Sequence, residues 1–231
     1  MIRYDRAALD YGPGRPALAA TTLSIDAGLT LLLGPNGAGK SSLIKLAAGV
    51  ERPRAGRVLV DGVDLWVEDV RARQQLAYVP EHPDVTPYAS VAEVLGLVCR
   101  LRGASPEAQD AALARVGLTE HADRTIRELS MGQRRRVMLA TALIGRPAHV
   151  LLDEPLETMD RAMQEWITAW VTQLVAEGGT ILIATHQVEP FVDMATHAVA
   201  VLDGQVTVQC ALPNGPDERL AFVRRLAREG R

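Results

Sequence analysis

Short apolar runs alternate along the chain with longer stretches in which apolar residues recur every three or four positions. The runs predict buried strands, and the periodic stretches predict helices. The chain begins with a strand-rich segment that contains a turn at 11–14. Further strands are predicted at 29–33, 57–60, 76–79, 150–152, 180–185, 198–202 and 205–208. The predicted helices follow residue 42, run from 90 to about 101, begin at 106, follow residue 133 and run from about 161 to 177. This alternation favours an α/β domain with a mostly parallel sheet that is covered on both faces.

Helix start signals help to define the organisation of the chain. Ser90 and Glu93 have the spacing of a capping box, in which each side chain bonds the backbone of the other residue. The region from about 88 to 145 is predicted to be a helical insertion between strand-rich segments. We expect one domain over 1–231, with a short tail at about 211–231 that contains an amphipathic helix.

A glycine-rich loop lies between the strand at 29–33 and the first helix. It reads Gly34-Pro35-Asn36-Gly37-Ala38-Gly39-Lys40-Ser41-Ser42, and all nine residues are candidates for nucleotide binding. The loop matches G-x-x-x-x-G-K-S in the strand–loop–helix setting that this motif requires. Its glycines let successive backbone N–H groups point into one concavity at the positive end of the helix, where a polyphosphate fits. Lys40 adds a charge for the phosphates and Ser41 a hydroxyl for Mg²⁺, so the loop predicts a nucleoside triphosphate site rather than a simple helix-capping turn.

The composition narrows the range of partners. The 231 residues are 48% apolar and carry a net charge of −3, which gives no electrostatic reason to expect nucleic acid. No run approaches the roughly 18 apolar residues of a membrane span, and the N-terminus lacks the apolar core of a signal peptide. Cys99 and Cys210 have neither metal nor redox spacing, so a reduced cytoplasmic protein is expected.

Polar residues follow two further apolar strands. Asp153 and Glu154 come directly after 150–152, and His186 follows 180–185. Ligands of open α/β sheets lie beyond the carboxyl ends of the strands, so these side chains are expected near the phosphate loop. Asp153 can hold Mg²⁺ through water, and Glu154 can accept a proton from an attacking water. The alternatives are a solvated turn for the acidic pair and a buried histidine bonded to backbone for His186.

A five-residue segment gives these motifs a family resemblance. It reads Leu129-Ser130-Met131-Gly132-Gln133, a close variant of the LSGGQ signature. With the phosphate loop, Asp153-Glu154 and His186 in the same order, the chain resembles the nucleotide-binding domain of ABC transporters over roughly 1–210. The resemblance implies an α/β phosphate-loop NTPase core with a mostly parallel sheet, an N-terminal antiparallel β subdomain and an inserted helical subdomain.

The resemblance also implies an ATP site with Mg²⁺ as cofactor. Tyr11 would stack on adenine, although a tyrosine in a turn is the alternative. Lys40, Glu154 and His186 would be the catalytic residues, and His186 would sense the γ-phosphate while it holds Glu154 and water in place.

Two partners follow from the same resemblance. A second ATPase subunit would pair head to tail with this one, so that ATP lies between the phosphate loop of one subunit and the signature of the other. Ser130, Gly132 and Gln133 would act there, and Asp160 would lie at the subunit interface. An integral membrane permease would dock on the helical insertion and on the loop around Glu81, which places the protein at the cytoplasmic face of the membrane.

One position departs from the family pattern. Where the family usually has glutamine after the strand at 76–79, this chain has Glu81. A carboxylate is a good ligand for Mg²⁺, but it adds a negative charge near phosphates and cannot donate a hydrogen bond when ionised. This Pro-Glu form resembles exporter ATPases of the drug, antibiotic and polysaccharide type, so export is expected and slower hydrolysis is a hypothesis.

Two other functional classes stay open at this point. One is an ABC-type ATPase that acts in cluster assembly or another process without transport, and the other is a nucleotide-binding scaffold without turnover. The basic run Arg134-Arg135-Arg136 is interpreted as a solvated helix face, with an anion contact as the alternative. Trp166 and Trp170 are predicted to be core residues of their helix.

Overall fold

The computed structural model describes residues 1–12, 16–82 and 86–231, so the predicted turn at 11–14 falls partly outside them. The strands are β1 Ile2–Asp10, β2 Pro16–Ile25, β3 Gly28–Leu33, β4 Ala55–Val60, β5 Val63–Asp64, β6 Leu76–Val79, β7 His149–Asp153, β8 Thr180–Ala184, β9 Ala195–Leu202 and β10 Gln205–Ala211. The helices are α1 Lys40–Ala47, α2 Asp69–Gln74, α3 Val91–Arg102, α4 Pro106–Val116, α5 Met131–Leu143, α6 Arg161–Ala176 and α7 Pro216–Glu229.

The strands form two sheets. The larger sheet has the order β10-β9-β3-β8-β7-β6, and its strands pair in parallel except that β10 is antiparallel to β9. The smaller sheet has the order β2-β1-β4-β5 and is antiparallel. A mostly parallel sheet beside an N-terminal antiparallel one confirms the predicted fold class.

The helical insertion separates two neighbouring strands of the larger sheet. β6 and β7 pair in parallel, and α3, α4 and α5 lie between them in the sequence. The predicted capping box starts α3: the Glu93 N–H donates to Ser90 Oγ at 3.1 Å, and the Ser90 N–H donates to Glu93 Oε2 at 2.7 Å. Both bonds satisfy donors that the first turn of the helix leaves free, which fixes where the insertion begins.

The strand before the phosphate loop is buried on both faces. Leu29, Leu31 and Leu33 of β3 pack into one apolar cluster, and Leu32 packs into a second cluster on the other face of the sheet. Alternate side chains of a strand point to opposite faces, so β3 is held by both layers of the protein. The phosphate loop is therefore attached to a rigid part of the core.

The tryptophans of α6 lie at the edge of the core, not inside it as predicted. Trp166 and Trp170 are partly buried, and their rings stack with centroids 5.8 Å apart and planes 9° apart. Both line a cavity of about 790 Å³ between α4, α5 and α6, whose other walls are rich in alanine. Their one-turn spacing places the rings over each other at this edge. In the part of the chain described, no helix combines the length and the apolar character needed to cross a bilayer.

Candidate functional site

The predicted site residues meet at the carboxyl ends of β3, β7 and β8. They line a cavity of about 410 Å³, which shares no lining residue with the larger alanine-rich one. Its walls are Asn36, Gly37, Gly39, Lys40, Ser41, Ser42, Glu81, Asp153, Glu154, Glu157 and His186. The structure thus brings the phosphate loop, the acidic pair, Glu81 and His186 into one place, as their positions after adjacent parallel strands predict.

The phosphate loop leads directly into α1. Gly39 is the N-cap of that helix at φ 110°, and the helix begins at Lys40. The Lys40 ammonium donates to the carbonyls of Gly34 at 2.7 Å and Pro35 at 3.0 Å, so it folds back over its own loop. Burial lowers the pKa of Lys40, although the charges of Glu154, Asp153 and Glu81 work in the opposite direction. A cation held over a helix N-terminus is well placed for phosphate oxygens.

Asp153 is the buried carboxylate of the site. It ends β7 and is only 3% exposed. Burial raises its pKa, a hydrogen bond from Ser41 lowers it, Glu81 and Glu154 raise it further and Lys40 lowers it. Ser41, at the start of α1, and Asp153 line the same cavity.

The oxygen donors here fit Mg²⁺. Ser41, Asp153 and Glu81 supply the hard ligands that Mg²⁺ prefers. The described residues contain no cluster of three or more histidine, cysteine, aspartate and glutamate side chains that would form a closed metal cage. Such a cage is not expected for Mg²⁺, which is usually held by one or two carboxylates together with water and substrate phosphates.

Glu154 and His186 form a pair at the ends of β7 and β8. Glu154 Oε2 lies 2.9 Å from His186 Nδ1, and Glu154 Oε1 accepts the His186 backbone N–H at 3.1 Å. Thr185, which sequence reasoning missed, donates its hydroxyl to Glu154 Oε2 at 3.0 Å. A polar residue at the last position of an apolar strand, directly before His186, was the available signal. Three donors thus fix the orientation of one carboxylate.

The signature segment lies outside this cavity. None of residues 129–133 is among the lining residues described. Ser130 caps α5, since its Oγ accepts the Gln133 N–H at 3.2 Å while Gln133 Oε1 accepts the Ser130 N–H at 2.9 Å. Gly132 faces the segment before α6, where an added Cβ would stand 3.5 Å from the Thr158 carbonyl.

Asp160 and Tyr11 also lie beyond the lining residues. Asp160 caps α6 by accepting the Met163 N–H at 2.9 Å. Tyr11 is half exposed, and its hydroxyl lies 3.3 Å from Ser42 Oγ at the end of the phosphate loop. The aromatic ring therefore stands beside the phosphate loop.

The basic run after the signature is not a solvated face, so that prediction was wrong. Arg134 donates to the carbonyls of Ile126 at 3.0 Å and Leu129 at 3.1 Å. Arg136 bonds the Asp160 carboxylate, and Arg135 is buried. The guanidinium groups find backbone and carboxylate acceptors within the chain, so this run faces other parts of the protein and not only solvent.

Comparisons with known proteins find a matching family and several relatives. The sequence model described as "ABC transporter" matches residues 18–157. A methionine import ATP-binding protein, MetN 2 of Pseudomonas aeruginosa, is 37% identical over 84% of this chain, and the alignment covers 61% of that relative's length. The thiamine import ATP-binding protein ThiQ of Mesorhizobium japonicum is 37% identical over 80% of this chain and 74% of its own. The SkfA peptide export ATP-binding protein SkfE of Bacillus subtilis is 30% identical over 80% and 78%.

Solved structures share the fold. An ATP-binding subunit of an ABC transporter superposes with a TM-score of 0.83 at 25% identity, over 97% of this chain and 94% of the other. The dimeric bacterial cassette MJ0796 superposes with a TM-score of 0.81 at 24% identity, over 93% and 100%. Both alignments extend over nearly the whole chain, including the helical insertion.

Proposed function

This chain belongs to the ABC transporter family, and from that premise we propose that it is an Mg²⁺-dependent ATPase subunit that powers a separate membrane permease. The observation that carries the proposal is the meeting of Lys40, Ser41, Asp153, Glu154 and His186 in one cavity. Phosphoryl transfer needs these groups together: donors for the phosphates, ligands for the metal and a base for water.

The residues divide the reaction between them. Glu154 accepts a proton from the water that attacks the γ-phosphorus, as the bond to the ADP oxygen breaks. His186 and Thr185 hold that carboxylate, and Lys40 exchanges its loop carbonyls for phosphate oxygens. Ser41, Asp153 and Glu81 would hold Mg²⁺, which would supply neutralisation of the phosphate charge.

A single chain does not complete the proposed site. The signature residues Ser130, Gly132 and Gln133 lie outside the cavity, so we propose that they meet the ATP of a second subunit through the N-terminus of α5. Asp160 would lie at that interface, and Tyr11 would stack on adenine. Closure around ATP and opening after hydrolysis would then form a two-state switch.

The direction of transport is where the relatives change the expectation. The relatives differ in direction: MetN 2 and ThiQ are named for import, and SkfE is named for export. The expectation of export is therefore not supported. We propose that the permease, docked on the helical insertion and the Glu81 loop, sets direction and substrate. All three relatives are named for transport, so the alternative of a process without transport is not favoured.

The test is steady-state release of phosphate from ATP by the purified protein. We expect turnover in Mg²⁺ buffer and loss of turnover to the background level when EDTA removes the metal. ATP binding without turnover, in the presence of Mg²⁺, would contradict the ATPase and favour a scaffold.

Glu81 gives a separate prediction. It lines the cavity, and its charge raises the pKa of Asp153. We expect Glu81→Gln to raise turnover by about fivefold or less, since one unit charge at roughly 4 Å in water contributes about 1 kcal/mol. Turnover measured over a range of Mg²⁺ concentrations checks this. If neither turnover nor the Mg²⁺ dependence changes, the charge of Glu81 does not limit hydrolysis.

A further inference from the structure

Arg135 is a buried cation at the back of the proposed site. It lies in the first turns of α5 and is 2% exposed. Its guanidinium bonds the carbonyl of Glu154, lies 3.4 Å from the carbonyl of Asp153 and lies 3.4 Å from Glu157 Oε2. Its Nε is buried and has no partner among the described residues. The side chain thus contacts two successive backbone carbonyls at the end of β7 and just after it.

The backbone that Arg135 contacts has an unusual conformation. Glu154 has φ 48°, in the left-handed region that residues other than glycine rarely adopt. Thr158, further along the same segment and not among the described hydrogen-bond partners of Arg135, also lies in that region at φ 61°. The Glu154 N–H donates to the Ala184 carbonyl at 2.8 Å, so β8 holds one side of this peptide unit and Arg135 holds the other. The turn at Glu154 is what directs its carboxylate to Thr185 and His186.

Stability alone does not account for a cation at this position. Its one carboxylate partner among the residues described, Glu157, is 41% exposed at the side chain and 3.4 Å away, which leaves a buried charge weakly neutralised. A buried charge of this kind is often no more stable than an apolar side chain of similar volume. The directional bonds to two consecutive carbonyls are what an apolar residue could not supply.

We propose that Arg135 is a positioning residue that holds Glu154 in its left-handed conformation and thereby keeps the carboxylate on His186. The signature residue Ser130 is the N-cap of α5. The Arg135 guanidinium therefore connects the helix that follows the signature to Glu154, the proposed general base of the same subunit. A shift of the signature helix on subunit closure would reach Glu154 through this contact. The inference deepens the proposed function and rests on it for the role of Glu154.

Arg135→Met is the first test, and the chain offers a matched control. Arg102, like Arg135, donates to backbone carbonyls. Its three acceptors are the carbonyls of Thr141 at 2.7 Å, Ile144 at 2.6 Å and Leu76 at 2.8 Å. Those carbonyls lie at the end of α5 and the start of β6, away from the cavity lining. Arg102→Met therefore reports the loss of a comparable structural arginine.

We expect Arg135→Met to lower kcat about 10- to 100-fold, because displacing a catalytic group by roughly 1 Å lowers the reaction rate by up to about 100-fold. The KM for ATP should stay within a few-fold, whereas Arg102→Met should leave kcat within about twofold. Arg135→Lys, which keeps the charge but not the planar fork, should give an intermediate kcat. If Arg135→Met does not fold, Arg135→Lys provides the test in its place. Unchanged kcat in Arg135→Met, or a raised KM alone, would overturn the proposal.

A second readout does not depend on turnover. Hydrogen exchange measured by mass spectrometry should be faster over residues 154–159 in Arg135→Met and Arg135→Lys, but not in Arg102→Met. Unchanged protection of that segment would overturn the positioning role. Wild-type protein without turnover would instead refute the ATPase, and the two failures are thus told apart.

Discussion

Steady-state ATP hydrolysis is expected to fall at least about 100-fold when Glu154 is replaced by glutamine, the lower end of what a general base contributes. Glutamine has nearly the same shape and keeps one oxygen, in the place of Oε2, for the hydroxyl of Thr185 and the backbone N–H of His186. Its amide cannot accept the proton of the attacking water. The defect should therefore appear in kcat, because an interaction made in the transition state is lost while the ground state is retained.

ATP binding provides the internal control for Glu154→Gln. Residues Lys40 and Ser41 are unchanged in that variant, so the affinity for ATP should stay within a few-fold. Unhydrolysed ATP should also hold two subunits together, which size-exclusion chromatography would show as a dimer in ATP and a monomer in ADP. Turnover within about tenfold of wild type would exclude Glu154 as the base.

Gly34→Ala is expected to destabilise the fold strongly, for a reason specific to this structure. Gly34 has φ 140°, and an added Cβ would lie 2.2 Å from the Val201 carbonyl oxygen of β9. A left-handed φ costs roughly 1–3 kcal/mol for an ordinary residue, and an overpacked site adds about 1–3 kcal/mol. We expect a loss of about 2–6 kcal/mol in the free energy of unfolding, which urea denaturation would measure.

Gly37 in the same loop separates the two contributions to that loss. It has φ 79°, but an added Cβ would meet nothing within 4 Å. Gly37→Ala should therefore lose only the conformational part, about 1–3 kcal/mol. Equal losses for the two variants would mean that the close approach of the phosphate loop to β9 does not contribute.

Most of the fold and the position of the candidate site could be predicted from the sequence, because both depend on local patterns. Strand β3 and the loop after it were predicted within one residue, since an all-apolar run and a fixed glycine spacing leave little choice. The capping box at Ser90 was equally visible, because both partners lie three residues apart. Such features need no knowledge of distant contacts.

Features that depend on packing could not be predicted in the same way. Arg135 has the same local sequence appearance as its neighbours in the basic run, and only the packing of α5 against the turn after β7 buries it. The left-handed conformation of Glu154 likewise has no signal in the sequence, since glutamate is not a residue that favours it. Trp166 lies at the core edge because of how α4 and α6 leave a cavity between them.

Isolation of its partners would show whether this ATPase serves a membrane transporter. Tagged protein would be purified from detergent-solubilised membranes of its own cell, and the co-purifying proteins identified by mass spectrometry. We expect a multi-span membrane protein in stoichiometric amount. Recovery of soluble partners alone, with the ATPase in the cytosolic fraction, would contradict it.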